Sequence, residues 1–156
     1  MSGLSINHAA TLSQAPSSVR LQPPGYPVRL VSHRISAGFP SPAADYAEVG
    51  LDLNDYLVRN KPASFMFTVK GDSMVNAGIV DGDKVIVDRS VNAKSKDIVV
   101  AVVNGEYTIK RLYKTSSKVE LRPENPAYQP IVFKEGSELE IWGVVVGVVR
   151  RYGNQG

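Results

Sequence analysis

Cysteine is absent from the 156 residues, which excludes disulfides, a thiol nucleophile and thiolate metal sites and fits a reducing compartment. Histidine is almost as scarce. The two present, His8 and His33, lie near the N-terminal end, so a Ser-His-Asp triad within the later part of the chain is excluded. Long apolar runs are missing too: the longest, near Leu139 to Val149, is too short to span a bilayer. No basic stretch followed by an apolar run opens the chain, so neither a secretory signal nor a membrane anchor is expected, and the protein reads as soluble and cytoplasmic. Acidic side chains are lacking before Asp45, where Arg20, Arg29 and Arg34 are the only charged residues. The formal net charge of +3 therefore belongs wholly to that stretch, and the remainder is neutral. A neutral body offers no basic surface to a phosphate backbone, so direct sequence-specific DNA binding is not expected.

The length suits one well-buried domain and a tail. Residues Met1 to Pro27 hold four of the ten prolines with little apolar periodicity, and such a segment buries too little surface to offset its ordering entropy; it reads as a mobile arm. Val28 to Gly38 is a short extended-looking run, followed by the stiff Phe39-Pro40-Ser41-Pro42. One short helix through Asp55 to Arg59, capped by Asp52 or Asn54, stops before Pro62. Beyond it the pattern is β. Ser64 to Lys70 places Phe65, Phe67 and Val69 on one face, and Lys84 to Asp88 is a second strand. Asp97 to Val103 and Glu106 to Tyr113 flank Asn104-Gly105, the dipeptide best suited to a two-residue hairpin turn. Val119 to Arg122 and Leu139 to Val149 follow, the former ending at the turn Pro123-Glu124-Asn125-Pro126. The fold class is mostly β: compact antiparallel strands in a partly open barrel or sandwich. Trp142 and Val144 to Val149 read as core and dimer contact, and a long apolar strand at a sheet edge would need covering, so a homodimer is expected.

Gly71-Asp72-Ser73-Met74 sets a serine on a tight turn between two strand-like runs. A serine hydroxyl needs a base, and with both histidines remote the candidates are carboxylates, which are weak toward a serine, and lysine, which serves when neutral. Lys110 is the lysine of choice, in register with Leu112 on the second hairpin arm, where a packed sheet can exclude water; Arg111 cannot replace it because a guanidinium does not deprotonate. Lowering a lysine pKa from about 10.4 to about 7.5 takes on the order of 4 kcal/mol, which burial can supply. On residue types alone the plainer alternative, a turn serine and a solvated hairpin lysine, stays open. Asp81-Gly82-Asp83 lacks the further oxygen ligands of a calcium loop and reads as a turn, and no metal or cofactor is expected.

Gly71-Asp72-Ser73-Met74, then Gly78-Ile79, Asp81-Gly82-Asp83, Asp97-Ile98-Val99 and Glu106-Tyr107-Thr108-Ile109-Lys110-Arg111-Leu112 resemble the LexA/UmuD family of self-cleaving Ser-Lys peptidases. The resemblance runs from about Arg34 to the last strand. Ala37-Gly38-Phe39-Pro40-Ser41-Pro42-Ala43 and Ile141-Trp142-Gly143-Val144-Val145 resemble its UmuD and MucA branch of mutagenesis proteins more than the repressors. A repressor also needs a helix-turn-helix domain, which the Pro- and Ser-rich residues up to Ala37 cannot form.

The resemblance implies Ser73 as nucleophile, Lys110 as base, the backbone N–H groups of Asp72 and Ser73 as oxyanion donors, and Ala37-Gly38 as the bond cut. It implies an arm of residues 1–37 removed by self-cleavage and a peptidase and dimerisation domain of residues 38–156. Residues 34 to 38 would lie as an added strand beside the active site. The implied setting is the SOS response: a RecA filament on single-stranded DNA stimulates cleavage, and the processed homodimer then serves a Y-family polymerase in translesion synthesis. The competing class is a non-catalytic β module whose arm docks a partner.

Overall fold

The computed structural model describes residues 17–18, 28–32, 34–40, 42–43, 47–133 and 138–153. Strands form where apolar residues recur with period two. The first three are β1 (Ser17–Ser18), β2 (Val28–Val31) and β3 (Glu48–Leu51), followed by the five-residue helix α1 (Leu53–Leu57). Asp52 is the helix cap, its Oδ1 accepting from the Asn54 N–H at 2.7 Å, which satisfies one of the donors a helix start leaves free. Strands β4 (Ser64–Thr68), β5 (Lys84–Asp88), β6 (Ile98–Val103), β7 (Glu106–Lys114), β8 (Val119–Arg122), β9 (Ile131–Phe133) and β10 (Leu139–Val149) complete the described elements.

Eight strands make one antiparallel sheet in the order β1-β4-β5-β10-β6-β7-β8-β9, while β2 and β3 pair separately. The antiparallel, mostly β expectation holds, and the sheet is open rather than a closed barrel. Asn104 and Gly105 both take positive φ, 49° and 81°, as the tight β6–β7 turn requires. Of residues 1–27, read as a mobile arm, Ser17 and Ser18 instead pair with Phe65 and Met66 of β4, and the others lie outside the described residues, as does His33. The strands β3 and β9 have no counterpart in the sequence reading; each is three or four residues long and too short to show a period of its own.

Core forms on both faces of the sheet. Val100 packs with Met74, Ile79, Val85, Val87 and Trp142, and Ile98 and Val102 border them; Val99 and Ala101 pack instead with Leu112, Leu121, Phe133 and Val144. That double burial is why β6 reads Ile-Val-Val-Ala-Val-Val without polar alternation. In β10 an extra residue between Ile141 and Gly143 shifts the register, so Trp142 enters the first core while Ile141 and Val144 serve the second.

One expectation is corrected. Leu139–Val149 is not a bare edge strand: its first half, Leu139 to Val144, pairs with β6 and its second half, Val144 to Val149, with β5, so each half has one partnered side. The last strand of the chain inserts between two earlier hairpins, a long-range pairing that a local pattern does not encode.

Gly143 makes the insertion possible. A Cβ there would stand 2.7 Å from Val87 Cγ1 and 3.2 Å from the Asp88 carbonyl oxygen, and Val87 is fully buried. Gly143→Ala is expected to lower unfolding free energy by about 1–3 kcal/mol, read from urea denaturation; an unchanged midpoint would mean that β5 and β10 separate freely.

Candidate active site

The 69–83 segment joins β4 to β5, and its middle is the serine turn. Met74, 1% exposed, roots the turn in the first core, so its half-buried neighbour Ser73 has little freedom to move. Gly71, at φ 92°, turns the chain where an L side chain would be strained, and its N–H donates to Asp81 Oδ1 at 2.6 Å. A 3-10 turn over Val75–Ala77 follows and ends at Gly78, φ 77°. Asp81 and Asp83 are thus occupied within the protein, and among the described residues no cluster of His, Cys, Asp and Glu could hold a metal ion.

Strand β7 carries Lys110 to this turn. Its Nζ lies 3.1 Å from Ser73 Oγ, 2.9 Å from Thr108 Oγ1 and 3.0 Å from the Ile109 carbonyl oxygen. Half-burial removes water from the ammonium and holds its pKa below the ordinary lysine value. Nζ donates to all three oxygens; on losing one proton it would keep two N–H groups for Thr108 Oγ1 and the Ile109 carbonyl and turn a lone pair toward the Ser73 hydroxyl. A serine and a lysine so placed can pass a proton from Oγ to Nζ, the first requirement of nucleophilic attack.

The loop between β8 and β9 clamps the serine turn from the other side. Asn125 Nδ2 donates to the Asp72 carbonyl at 3.0 Å, and the Glu124 N–H donates to the Ser73 carbonyl at 2.8 Å. The Glu124 carbonyl in turn accepts from the Asn76 N–H at 2.9 Å. The Tyr128 hydroxyl donates to Asp72 Oδ1, and that carboxylate raises the tyrosine pKa. Glu124 also pairs with Arg111, the residue beside Lys110, so one glutamate links the base strand to the nucleophile turn. In a trans peptide the C=O and N–H point opposite ways. With the Asp72 carbonyl fixed on Asn125, the Ser73 N–H faces away from the clamp, and among the described residues neither it nor the Asp72 N–H has a protein acceptor.

The far side of the turn is latched by the end of the chain. Arg150 Nε and Nη2 each lie 2.6 Å from a carboxylate oxygen of Asp83, and Nη2 also donates to the Gly78 carbonyl at 2.8 Å. The Asp83 side chain is 1% exposed; the arginine's donation outweighs desolvation and holds its carboxyl below the usual range.

Ser73 and Lys110 are brought together, as the motif pattern led one to expect, whereas Ala37 and Gly38 are not brought to them. Ala37 and Gly38 are exposed and bent, between the fully exposed Ile35 and Phe39, and the Gly38 N–H donates only to Ser36 Oγ at 3.4 Å. The added strand expected over residues 34 to 38 is absent: described residues in this span have no sheet partner. They form the loop between β2 and β3, where the following prolines remove backbone donors. The sequence reading missed Thr108, Glu124, Asn125, Tyr128 and Arg150. Thr108 was within reach, since period two puts it on the face of Lys110; the Pro123 to Pro126 turn marked the clamp loop without showing its target.

Comparison with known proteins agrees with this architecture. The Peptidase S24-like family model matches residues 29–146. The chain belongs to that family. It is 44% identical over 122 residues to Protein SamA of Salmonella typhimurium, covering 78% of this chain and 84% of SamA. It is 41% identical over 130 residues to Protein ImpA of Escherichia coli, covering 78% and 83%. LexA repressor 1 of Geobacter sulfurreducens is 42% identical over 117 residues, covering 74% of this chain but 57% of the repressor, so the S24 chain spans little more than half of that longer protein. The kinship to LexA- and UmuD-type proteins read from the motifs stands.

Two measurements check the supports of this S24 site. Asn125→Ala frees the Asp72 carbonyl and is expected to slow self-cleavage about tenfold, the scale of one hydrogen bond, with the melting temperature nearly unchanged. Arg150→Ala leaves a buried carboxylate unpaired and is expected to lower the melting temperature by roughly 10 °C at pH 7. The sign follows from Asp83, whose folded pKa is depressed: the pair's stabilisation is present above the unfolded carboxylate pKa and disappears as pH falls through the folded one. The difference between wild type and variant should therefore shrink on acidification below about pH 4.

Proposed function

We propose that this S24 protein is a self-cleaving serine peptidase in which Lys110 activates Ser73 for attack on the Ala37 carbonyl of its own chain. The observation that carries the reading is the 3.1 Å approach of Lys110 Nζ to Ser73 Oγ at a half-buried lysine whose pKa burial lowers. Neutral Lys110 takes the hydroxyl proton as Oγ bonds to the Ala37 carbonyl carbon, and the N–H groups of Asp72 and Ser73 receive the developing oxyanion. Collapse breaks the Ala37–Gly38 bond, and the lysine proton passes to the Gly38 amine. Water, with Lys110 again as base, then releases residues 1–37 from Ser73 and leaves a domain of residues 38–156.

The loop holding Ala37 and Gly38 must move to meet Ser73. Its tether makes this encounter an intramolecular one, and loop-closure cost grows by only about 0.6 kcal/mol per doubling of length, so a partner that stabilises the docked loop controls the rate. The motif resemblance to the UmuD and MucA branch and the SamA and ImpA relatives support the reading that the setting is SOS mutagenesis in the cytoplasm. There an activated RecA filament is that partner, and the processed homodimer serves a Y-family polymerase in translesion synthesis. Val146, Val148 and Tyr152, exposed near the C-terminal end, are the surface suited to the homodimer. Among the described residues no helix is long and apolar enough to cross a membrane.

Incubation at alkaline pH or with a RecA–single-stranded DNA filament should yield two fragments whose masses place the cut between Ala37 and Gly38. Ser73→Ala, Lys110→Ala and Lys110→Arg should each lose at least about a thousandfold in rate, the arginine because it keeps its proton. The wild-type rate should rise about tenfold per pH unit and level off at an apparent pKa below the ordinary lysine value. Undiminished cutting in any of these variants, or a wild-type terminus elsewhere, overturns the dyad; no cutting at all under these conditions favours the binding-module reading.

A further inference from the structure

Ala37 and Gly38 sit in the loop of a hairpin that stands apart from the main sheet. Its pairs Val28↔Leu51 and Leu30↔Val49 put four apolar side chains on one face, while Arg29↔Gly50 and Val31↔Glu48 occupy the other. On that second face Arg29 Nη1 lies 3.1 Å from Glu48 Oε2. Two bonds close the loop: Ser32 N–H to the Ala47 carbonyl at 3.0 Å, and Ala47 N–H to Ser32 Oγ at 3.1 Å. Val28, Leu30 and Val49 are 53%, 51% and 61% exposed, so burial contributes little to the pairing. A lone two-stranded ribbon of this size is marginal even when its strands share one chain.

The two strands are not equally attached. A single residue separates β3 from α1, and that residue, Asp52, caps the helix, so β3 is fixed to the body. β2 is held by its pairing with β3, by the loop and, on its N-terminal side, through the two residues of β1 that pair with β4. We propose that cutting the loop converts Glu48–Leu51 into a docking edge for an extended strand of another protein, one carrying the chemistry of β2. Such a strand has apolar residues opposite Val49 and Leu51 and a basic residue beside Glu48. The proposal rests on the reading of Ala37–Gly38 as the bond cut. Before cutting, the tether keeps β2 at a millimolar effective concentration and the edge is filled; after cutting, only the two-residue β1–β4 pairing and the four-residue β2–β3 pairing retain the fragment, and its dilution leaves unpaired N–H and C=O groups on β3. A second copy of β3 does not fit: antiparallel self-pairing about Gly50 sets Glu48 opposite Asp52, two like charges.

The test does not use self-cleavage. A Ser73→Ala chain with a foreign endoprotease recognition sequence in place of residues 39–44 is cut in the loop by that endoprotease, and amide exchange at residues 48–51 is followed before and after. At micromolar concentration the released fragment should separate on gel filtration, and exchange at β3 should quicken at least tenfold. A fluorescent peptide of residues 26–34 should then bind saturably, weaken at least fivefold with Arg29→Glu, and recover when the body carries Glu48→Lys. Retention of the fragment with β3 still protected, peptide binding indifferent to the charge reversals, or protection of β3 by self-association of the cut body would each overturn the proposal. Loss of the Ser-Lys reading alone would leave every one of these measurements unchanged.

Discussion

Everything in this fold that bears on chemistry depends on one exclusion of water, around the Nζ of Lys110. An amine in solvent is protonated at neutral pH and cannot accept a proton from serine. The β6–β7 hairpin carries Lys110 to the serine turn, where its Nζ donates to Thr108 Oγ1, the Ile109 carbonyl and Ser73 Oγ. The lowered pKa and the geometry thus have one cause, a sheet packed closely enough to hold the amine yet open enough to admit a peptide.

Rigidity is concentrated on the nucleophile. Met74 anchors the serine turn from below, Glu124, Asn125 and Tyr128 hold it on one side, and the Arg150–Asp83 pair holds the segment that follows. These supports come from three separated parts of the chain, the 69–83 segment itself, residues 124–128 and Arg150, so the turn depends on packing between remote segments. The Arg111–Glu124 pair couples nucleophile and base directly, which ties their separation to the folding of β7 against β8.

The bond proposed as substrate is treated in the opposite way. It lies in an exposed loop of a thin hairpin, without hydrogen bonds to the serine turn among the described residues. On the proposed function, separation of the Ser73–Lys110 pair from its tethered substrate is the arrangement of a switch, in which the controlled quantity is the position of a loop. On the proposed reading that hairpin also joins cutting to recognition, because its loop is the covalent link between β3, which runs into α1, and β2.

The residues Gly71-Asp72-Ser73-Met74, Lys110 and Ala37-Gly38 were legible in the chain because each is a local motif, and six strands were legible because period two and the Asn104-Gly105 turn are local as well. The place of β10 between β5 and β6 was not, because pairing between distant strands leaves no local mark. The clamp loop and the Arg150 latch were invisible for the same reason: Asn125 reaches Asp72 across 53 positions and Arg150 reaches Asp83 across 67. The sequence by itself determined which groups can react, since that is a property of residue type. Only the tertiary structure decided which of them meet and which way burial moves the Lys110 pKa, since distance and exclusion of water arise when remote segments pack together.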